Sequence, residues 1–491
     1  MISTHNKALD TEKNIIKINN GQSLTFKEGQ TLLDALREGG IQISAPCGGN
    51  GTCRQCKVKI NGKETLACRT VPEAGMMIEL PDTGSERVLT DHVNIPEGGE
   101  GFGLAVDIGT TTVAVYLYDL KTGCCLGKKG AMNAQRAYGA DVISRISYAD
   151  CEEGLNALKA AIREQICSLA GELCSDLTKI TYISVAGNTV MEHLFAGLDP
   201  TSIGVAPFTP LSLFGEEYPA SDFLEGFNAN CRLYICPAVA GYVGGDITAG
   251  LLSSGAFESE KEVLFIDVGT NGEMGMGSSD GFTCCATAAG PAFEGAEIEC
   301  GSMAKDGAIN TVSSDLSYTV LGERDAESIC GSGLIDAVAA LLKNEIVDET
   351  GYIEDETYSF SDKVYISQKD IRNIQLAKAA IRAGIETLLK KRDRSYGDVN
   401  EVLIAGGFGA YMNIKSACTI GLLPPALEKK TRFVGNSAGK GAALALTEEG
   451  RKILAAVTAK CEYEELSSSP LFNGEYVDAM MFEEWDEVED D

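Results

Sequence analysis

The chain has 491 residues, of which 44% are hydrophobic, and a formal net charge of -30. This length accommodates three or more compact units with sizeable cores, and the strong negative charge argues against nucleic acid or an anionic membrane as a partner. The first residues lack the pattern of a signal peptide, and no run of about 18 apolar residues suggests a membrane span. The sequence therefore predicts a soluble, cytoplasmic protein.

Four of the 17 cysteines lie in the glycine-rich stretch "APCGGNGTCRQCKVKINGKETLACRT", residues 45–70. They are Cys47, Cys53, Cys56 and Cys68. The two-residue gap between Cys53 and Cys56 lets neighbouring thiolates reach one metal centre, and glycines let the backbone curl around it. Zinc is the alternative, since four thiolates also suit a tetrahedral site. A zinc ribbon usually pairs two C-x-x-C knuckles and only one is present, so the spacing favours an iron–sulfur cluster.

The flanks of this stretch predict a small α+β domain over residues 1–82. "IIKINNGQSLTFKEG" predicts two strands around a turn, "TLLDALREGG" a short helix, and "CKVKI", "ETLACRT" and "MMIELP" further strands. This order resembles the β-grasp fold of plant-type [2Fe–2S] ferredoxins over residues 12–82. One extra residue precedes Cys53 relative to the plant-type spacing, and Cys68 comes early. Residues 83–102 are polar and glycine-rich, which predicts a linker that lets the domain move.

Two similar segments follow at a distance: "GLAVDIGTTTVAVYLYDL" (103–120) and "EVLFIDVGTNGEMGMG" (262–277). Each predicts a strand, a glycine turn and a second strand, in which phosphate can approach the backbone. Asp107 and Asp267 end the first strands and are placed to hold Mg²⁺ directly or through water. The predicted phosphate contacts are Gly109, Thr110, Thr111 and Thr112 in the first turn, and Gly269, Thr270, Asn271 and Gly272 in the second.

A third motif, "VNEVLIAGGFGAYMN" (399–413), carries a buried strand into Gly406, Gly407 and Phe408. Glycine there allows a base and ribose to lie against the backbone. In this order the three motifs resemble the actin/Hsp70/sugar-kinase ATPase superfamily over residues 103–450. The resemblance implies an α/β, ribonuclease H-like ATPase with a first lobe at 103–235 and a second at 236–462. Residues 463–491 are predicted to form an acidic tail.

Two further segments bear on the ATPase. "CPAVAGYVGGDITAGLLSSG" (236–255) contains Asp246, which either orients the attacking water, as its place in the superfamily pattern implies, or caps the following helix. "GNSAGKGAA" (435–443) has the wrong spacing for a Walker loop, and Gly441 replaces its Ser/Thr. This segment is predicted to be a turn entering the last helix of the domain.

The whole chain resembles the reductive activators of corrinoid enzymes, on the motifs "CGGNGTCRQC", "AVDIGTTT", "AAGPAFEGA", "QLAKAAIRAGI" and "AGGFGAYMN". The resemblance implies a [2Fe–2S] cluster, ATP, Mg²⁺ and one-electron reduction of inactive Co(II) corrinoid to Co(I). The implied partners are a corrinoid protein or corrinoid-dependent methyltransferase and a low-potential electron donor; a homodimer stays open. Two alternatives also stay open: an ATP-dependent donor to another low-potential metalloenzyme, and a small-molecule kinase with an attached redox domain.

Overall fold

The computed structural model describes residues 14–19, 21–27, 29–39, 41, 43, 45, 49, 51, 56–80, 91–407 and 412–482. These residues form an N-terminal module and two larger α/β lobes, each around its own sheet. No helix within this part of the chain is long and apolar enough to cross a membrane.

The N-terminal module is a five-stranded sheet covered by one helix. Its strands run in the order β2-β1-β5-β3-β4, with β1 parallel to β5 and the other pairs antiparallel. Their bounds are β1 Ile15–Ile18, β2 Ser23–Thr25, β3 Lys57–Ile60, β4 Lys63–Leu66 and β5 Met77–Glu79, with α1 at Leu32–Glu38. Thr31 caps α1 by accepting the N–H of Asp34, and Leu32, Leu33 and Leu36 are buried in the module's core. The predicted β-grasp arrangement is confirmed, although the strand predicted over "ETLACRT" ends at Leu66 and a 3₁₀ turn at Ala67–Arg69 follows.

The first lobe is built on a six-stranded sheet with the order β10-β11-β9-β6-β7-β8. Its helix α3 buries Leu158, Ile162, Ile166 and Leu169, which recur every three or four residues and so lie on one helical face. The elements are β6 Phe102–Ile108, β7 Thr112–Asp119, β8 Cys124–Met132, α2 Val142–Tyr148, α3 Glu152–Leu173, β9 Ile180–Gly187, α4 Thr189–Ala196, β10 Glu217–Pro219, β11 Arg232–Ile235 and α5 Gly245–Ser254.

The second lobe is built on another six-stranded sheet, in the order β21-β20-β12-β13-β14-β22, with two small sheets beside it. Its strands are β12 Val263–Val268, β13 Gly272–Ser278, β14 Gly281–Thr287, β15 Ala308–Val312, β16 Tyr318–Val320, β17 Ser328–Ile329, β18 Thr357–Ser359, β19 Tyr365–Ser367, β20 Glu401–Ala405, β21 Thr431–Gly435 and β22 Cys461–Tyr463. Its helices are α6 Gly331–Lys343, α7 Gln368–Lys391, α8 Ile414–Thr419, α9 Ser437–Ala445, α10 Glu448–Ala459 and α11 Pro470–Asp478.

The two large sheets repeat one topology, as the predicted ribonuclease H-like fold requires. β6 pairs antiparallel with β7 and parallel with β9, and β12 pairs antiparallel with β13 and parallel with β20. Asp107 is therefore flanked by Ala114 and Ala186, and Asp267 occupies the equivalent place between Glu273 and Ala405. The repeat places the turns after β6 and β12 at matching edges of the two sheets.

Helices α5 and α9 pack on each other and on strands of the first sheet. The approach is close because α9 presents Gly441, where a Cβ atom would lie 2.1 Å from the carbonyl oxygen of Ala249 in α5. A larger residue at 441 would push the helices apart. The segment "GNSAGKGAA" does enter a helix, α9, but the prediction that this is the last helix was wrong, since α10 and α11 follow.

The described half of the predicted linker is packed on the first lobe. Ile95 is buried, and its N–H donates to the carbonyl of Gly123 at 3.0 Å. The hydroxyl of Tyr118 donates to the carbonyl of Val93 at 2.8 Å. Residues 91–101 therefore extend the lobe, and residues 83–90 of the predicted linker lie outside the described residues.

The predicted tail is also shorter than expected. β22 joins the second sheet and α11 packs against α7, so residues 463–478 belong to the second lobe. Phe482 is buried, with the ammonium of Lys378 5.1 Å from its ring centre. The predicted start of the tail at residue 463 was wrong because this segment contains many charged residues but also Phe472 and Tyr476, which pack against the lobe's core.

Candidate active site

A cleft of about 430 Å³ lies between the lobes, where the two repeated turns face each other. It gathers most of the predicted site: Asp107, Gly109, Thr110, Thr111, Thr112, Asp246, Asp267, Gly269, Thr270, Asn271, Gly406 and Gly407. The prediction that Gly272 contacts phosphate was wrong, because Gly272 lies buried in β13, where a Cβ atom would meet the hydroxyl of Thr287 at 2.7 Å. Phe408 lies outside the described residues.

Phosphate loop one, residues 109–112, is fixed from behind by three buried side chains. Asn133 donates to the carbonyl of Gly109 at 2.8 Å, and the guanidinium of Arg145 donates to the carbonyl of Thr110. The amide of Asn188 donates to the hydroxyl of Thr110 at 2.9 Å. These contacts hold the loop while the hydroxyl of Thr111 points across the cleft towards the second lobe. None of these three supports is predictable from the sequence, because each lies away from the loop along the chain in a segment with no motif.

The second predicted phosphate loop, residues 269–271, is shaped by contacts within itself and by the neighbouring strand. The N–H of Gly269 donates to the carbonyl of Asn271 at 3.0 Å, and the amide of Asn271 donates to Glu273 at 3.2 Å. Gly406 follows β20 with φ of +95°, and a Cβ there would lie 2.7 Å from the carboxylate of Asp267. Glycine at 406 therefore lets this turn lie directly against Asp267.

Glu294 joins the two phosphate loops. Its Oε2 atom accepts the hydroxyl of Thr111 at 2.9 Å and the hydroxyl of Thr270 at 3.0 Å. Its motif "AAGPAFEGA" is one of those that carry the family resemblance, but Glu294 was not among the predicted site residues. The signal that was available is a carboxylate in a glycine- and proline-bounded turn shortly after the second phosphate motif.

The carboxylates of the cleft have raised pKa values. Burial raises the pKa of Asp107 to about 6, and burial together with the charge of Asp107 raises that of Asp267 to about 7. Burial together with the charge of Asp267 raises the pKa of Asp246 to about 8. Crowded carboxylates of this kind lack balancing positive charge, which a divalent cation would supply.

The donor set fits Mg²⁺ better than a metal held by protein alone. Within the described ranges, no group of three or more His, Cys, Asp or Glu side chains could hold a metal ion. Mg²⁺ is typically bound by one or two carboxylates together with phosphate oxygens and water. Asp107 and Asp267 provide hard oxygen ligands of this type beside the two loops.

Asn436 and Asp246 lie at the starts of helices α9 and α5, beside the cleft. Asn436 caps α9 and donates its side-chain amide to Asp107 Oδ2 at 2.7 Å. Asp246 lies in the first turn of α5, where its Oδ1 atom accepts the N–H of Ile247 at 2.8 Å. The N-cap of α5 is Gly244 and no side chain caps the helix, so the capping role considered for Asp246 is wrong; its side chain, at the second helical position, lines the cleft. Asn436 was missed by the sequence analysis.

One wall of the cleft belongs to the second lobe. It is lined by the small sheet β15–β17, the start of α6 and the turn after β20. A Cβ atom at Gly407 would meet no described atom within 4 Å, so this part of the turn leaves open space for a flat ligand. The residues of this wall are Met303, Ala304, Asn310, Thr311, Leu321, Cys330, Gly331 and Ser332.

The described residues of the cluster stretch are compatible with a buried cluster. The side chains of Cys56 and Cys68 are buried, with 1% and 8% of their surface exposed. Gly49 has φ of +105°, and a Cβ atom there would lie 3.9 Å from the Cβ of Cys68, so the glycine turn passes close to this cysteine. Cys47 and Cys53 lie outside the described residues.

Comparisons with known proteins match all three parts of the chain. Residues 16–73 match the family described as the 2Fe-2S iron-sulfur cluster binding domain. Residues 102–259 match the RACo middle region, and residues 261–489 match the C-terminal domain of RACo, the ASKHA domain.

Two curated relatives and one solved structure extend over most of the chain. The corrinoid activation enzyme RamQ of Eubacterium limosum is 35% identical over 423 residues, which cover 78% of this chain and 70% of that protein. The [Co(II) methylated amine-specific corrinoid protein] reductase of Methanosarcina barkeri is 26% identical over 412 residues, 77% of this chain and 76% of its own. A reductive activator for corrinoid, iron-sulfur protein has 33% identity and a TM-score of 0.71, with coverage of 96% of this chain and 98% of that one. The chain therefore belongs to the family of reductive activators of corrinoid enzymes.

Proposed function

We propose that this protein uses ATP to drive the one-electron reduction of an inactive Co(II) corrinoid protein to the Co(I) state. The observation that carries the proposal is the union, in one chain, of a cluster-binding module with a cleft in which two phosphate loops face each other. The relatives named for corrinoid activation and Co(II) corrinoid reduction share this chain over more than three quarters of its length.

The N-terminal module is proposed to carry the electron. Cys47, Cys53, Cys56 and Cys68 would hold a [2Fe–2S] cluster, which when bound supplies a one-electron relay. The buried thiols of Cys56 and Cys68 would keep water from that centre, while the turn with Gly49 brings backbone amides close to it.

The cleft is proposed to bind Mg-ATP across both lobes. The hydroxyls and amides of residues 109–112 and 269–271 would donate to the phosphate oxygens, and the turn at Gly407 would lie against the nucleoside. Asp107 and Asp267 would hold Mg²⁺ directly or through water, and Asp246 would orient the attacking water while its Oδ1 keeps the N–H of Ile247.

ATP is needed in this scheme because the electron moves to an acceptor whose reduction potential is lower than that of the cluster. For one electron, roughly 60 mV corresponds to about 1.4 kcal/mol. A nucleotide-driven change of a few kcal/mol therefore offsets a gap on the order of one or two hundred millivolts. A ferredoxin module alone has no means of supplying that difference.

The proposed partners follow from the same chemistry. A corrinoid protein or corrinoid-dependent methyltransferase accepts the electron, and a low-potential donor in the cytoplasm returns the module to its reduced state. ATP hydrolysis should then respond to the protein partner, whereas a small-molecule kinase would respond to a sugar or a carboxylate.

The test is the visible spectrum of a cognate corrinoid protein, mixed anaerobically with this protein, a reductant and either ATP, a non-hydrolysable analogue or no nucleotide. We expect Co(I) to accumulate only with ATP. Cys56→Ala should abolish electron delivery and leave ATP hydrolysis, whereas Cys124→Ala, which removes an exposed thiol, should change neither. Co(I) formation at the same rate and extent without nucleotide would overturn the proposal.

A further inference from the structure

The two phosphate loops are bridged by a carboxylate of the protein itself. Glu294 Oε2 accepts from Thr111 at 2.9 Å and from Thr270 at 3.0 Å, and the two hydroxyl oxygens are 3.4 Å apart. Thr111 belongs to the first lobe and Thr270 to the second, so this single oxygen atom ties the lobes together at the place where phosphate is expected.

The side chain is held at this point by its surroundings. Glu294 ends the turn Pro291–Glu294, which is anchored by the fully buried ring of Phe293. Gly295 follows with φ of +77°, and a Cβ there would lie 2.4 Å from the carbonyl oxygen of Ser302. A tightly packed turn of this kind positions the carboxylate and leaves little freedom for the backbone to carry it elsewhere.

Counting donors shows what this bridge means for nucleotide. A threonine hydroxyl has one proton to donate. In the structure Thr111 and Thr270 both donate that proton to Glu294. A phosphate oxygen can accept hydrogen bonds from the same two hydroxyls only if both hydroxyls stop donating to Glu294. The phosphate and the carboxylate are both anions and would also repel each other at such close range.

We propose that Glu294 is an intrinsic competitor of the terminal phosphate of ATP. In the nucleotide-free protein its carboxylate occupies the hydroxyl donors of both loops, and ATP binding exchanges this bridge between the lobes for one made by phosphate. The inference rests on the proposed function in one respect only, that Mg-ATP binds in this cleft. It assigns Glu294 a positioning role that lowers nucleotide affinity, which is the opposite of what a purely structural support would do.

The test is the affinity of the full-length protein for Mg²⁺ with a non-hydrolysable ATP analogue, measured anaerobically by calorimetry. Glu294→Gln keeps an oxygen acceptor for the threonines but removes the charge. Hydrogen bonds to charged acceptors are about twice as strong as neutral ones, so the dissociation constant should fall on the order of tenfold. The gain should be smaller for Mg-ADP and absent for adenosine, which lacks phosphate.

Glu297→Gln is the matched control, since it removes the same charge from an exposed side chain three residues further on. It should leave the affinity unchanged. Glu294→Asp is a second variant, which keeps the charge but is too short to reach both threonines, and a smaller gain in affinity is expected. It provides the measurement if the glutamine variant does not fold.

The outcomes separate this inference from the proposed function. Unchanged or weaker binding of the analogue by both Glu294 variants, with normal binding by the wild-type protein, overturns the competitor role alone. Failure of the wild-type protein to bind any adenine nucleotide overturns both. A gain of equal size for adenosine also contradicts the inference, because the effect would then not concern phosphate.

Discussion

Asp91, in the segment that leads into the first lobe, holds the loop that precedes helix α9. Its Oδ1 atom accepts the N–H of Asn436 at 2.8 Å, and its Oδ2 atom forms an ion pair with Lys440. Gly435 permits this contact, because a Cβ there would collide with the Asp91 carboxylate. Asn436 in turn donates to Asp107 at 2.7 Å. We therefore expect Asp91→Ala to disturb the nucleotide site although Asp91 does not line the cleft.

The magnitude follows from the two interactions that the substitution removes. A hydrogen bond to a charged acceptor contributes about 1.5–3 kcal/mol, and a partly exposed ion pair contributes about 0–1 kcal/mol. Because 36% of the Asp91 side chain is exposed, water replaces part of both, which leaves a local cost of about 1–2 kcal/mol. If about half of this reaches Asp107 through Asn436, kcat/KM for ATP falls roughly two- to fivefold.

The assay is steady-state ATP hydrolysis by the full-length protein, together with hydrogen exchange at the start of α9. Asp91→Asn keeps an acceptor for the N–H of Asn436 and should lose much less activity than Asp91→Ala. Asp119→Ala is the matched control, since the Asp119 side chain accepts the nearby N–H of Lys121 at 2.9 Å, at the far end of β7 from the cleft. Wild-type turnover and exchange in Asp91→Ala would refute the reasoning.

Three further predictions concern the cleft and the cluster. Gly406→Ala should lower both the melting temperature and ATP turnover, because a Cβ would lie 2.7 Å from Asp267 in a left-handed backbone. Gly407→Ala should keep the melting temperature and weaken nucleotide binding only. Equal melting temperatures for the two variants would contradict this prediction. Asp246→Asn should bind Mg-ATP normally and hydrolyse it at least tenfold more slowly in single-turnover measurements, since the amide oxygen can still accept the N–H of Ile247. Unchanged turnover would exclude Asp246 from orienting the attacking water. Cys56→Ala should lose the visible absorbance and about two irons per chain in anaerobic iron analysis, and stoichiometric zinc in the wild-type protein would exclude the cluster.

The parts of the site that can be predicted from the sequence are those formed by residues that follow one another along the chain. A buried strand, an aspartate and a glycine turn occur together in "AVDIGTTT" and "FIDVGTNG", and the structure places both turns in the cleft. The strand before Gly406 is predictable for the same reason, since β20 is an unbroken run of apolar residues after Glu401.

The parts that sequence does not predict depend on pairs that are distant along the chain. Thr111 and Glu294 are separated by 183 positions, and Asp107 and Asn436 by 329. Asn436 has no local pattern that distinguishes it from an ordinary helix cap, and the glycine- and proline-bounded turn of Glu294 does not by itself show which residues the carboxylate contacts. Only the packing of the lobes brings them to the phosphate loops, so their roles follow from the fold and not from any motif.

Domain edges were mispredicted where composition and packing disagree. Val93 and Ile95 lie in a polar, glycine-rich segment, yet their backbone bonds to Tyr118 and Gly123 fix it on the first lobe. Composition averages over about ten residues, whereas one buried isoleucine and a few hydrogen bonds suffice to dock a segment.

The lobes are joined across the nucleotide site at two points that respond to ligand in different ways. At one point Thr111 shares Glu294 with Thr270, and phosphate competes for the same hydroxyl protons. At the other, Asn436 donates to a single oxygen of Asp107, which leaves the second oxygen free to face a cation, so Mg²⁺ and this hydrogen bond are compatible. A ligand shifts a conformational equilibrium only by its different affinity for the two states. ATP binding therefore replaces the first connection and keeps the second, and the retained one leads through Asn436 to the segment that follows the cluster module. On this reasoning, Glu294 sets how tightly nucleotide binds, and the hydrogen bonds from Asp107 through Asn436 to Asp91 stay in place when it does.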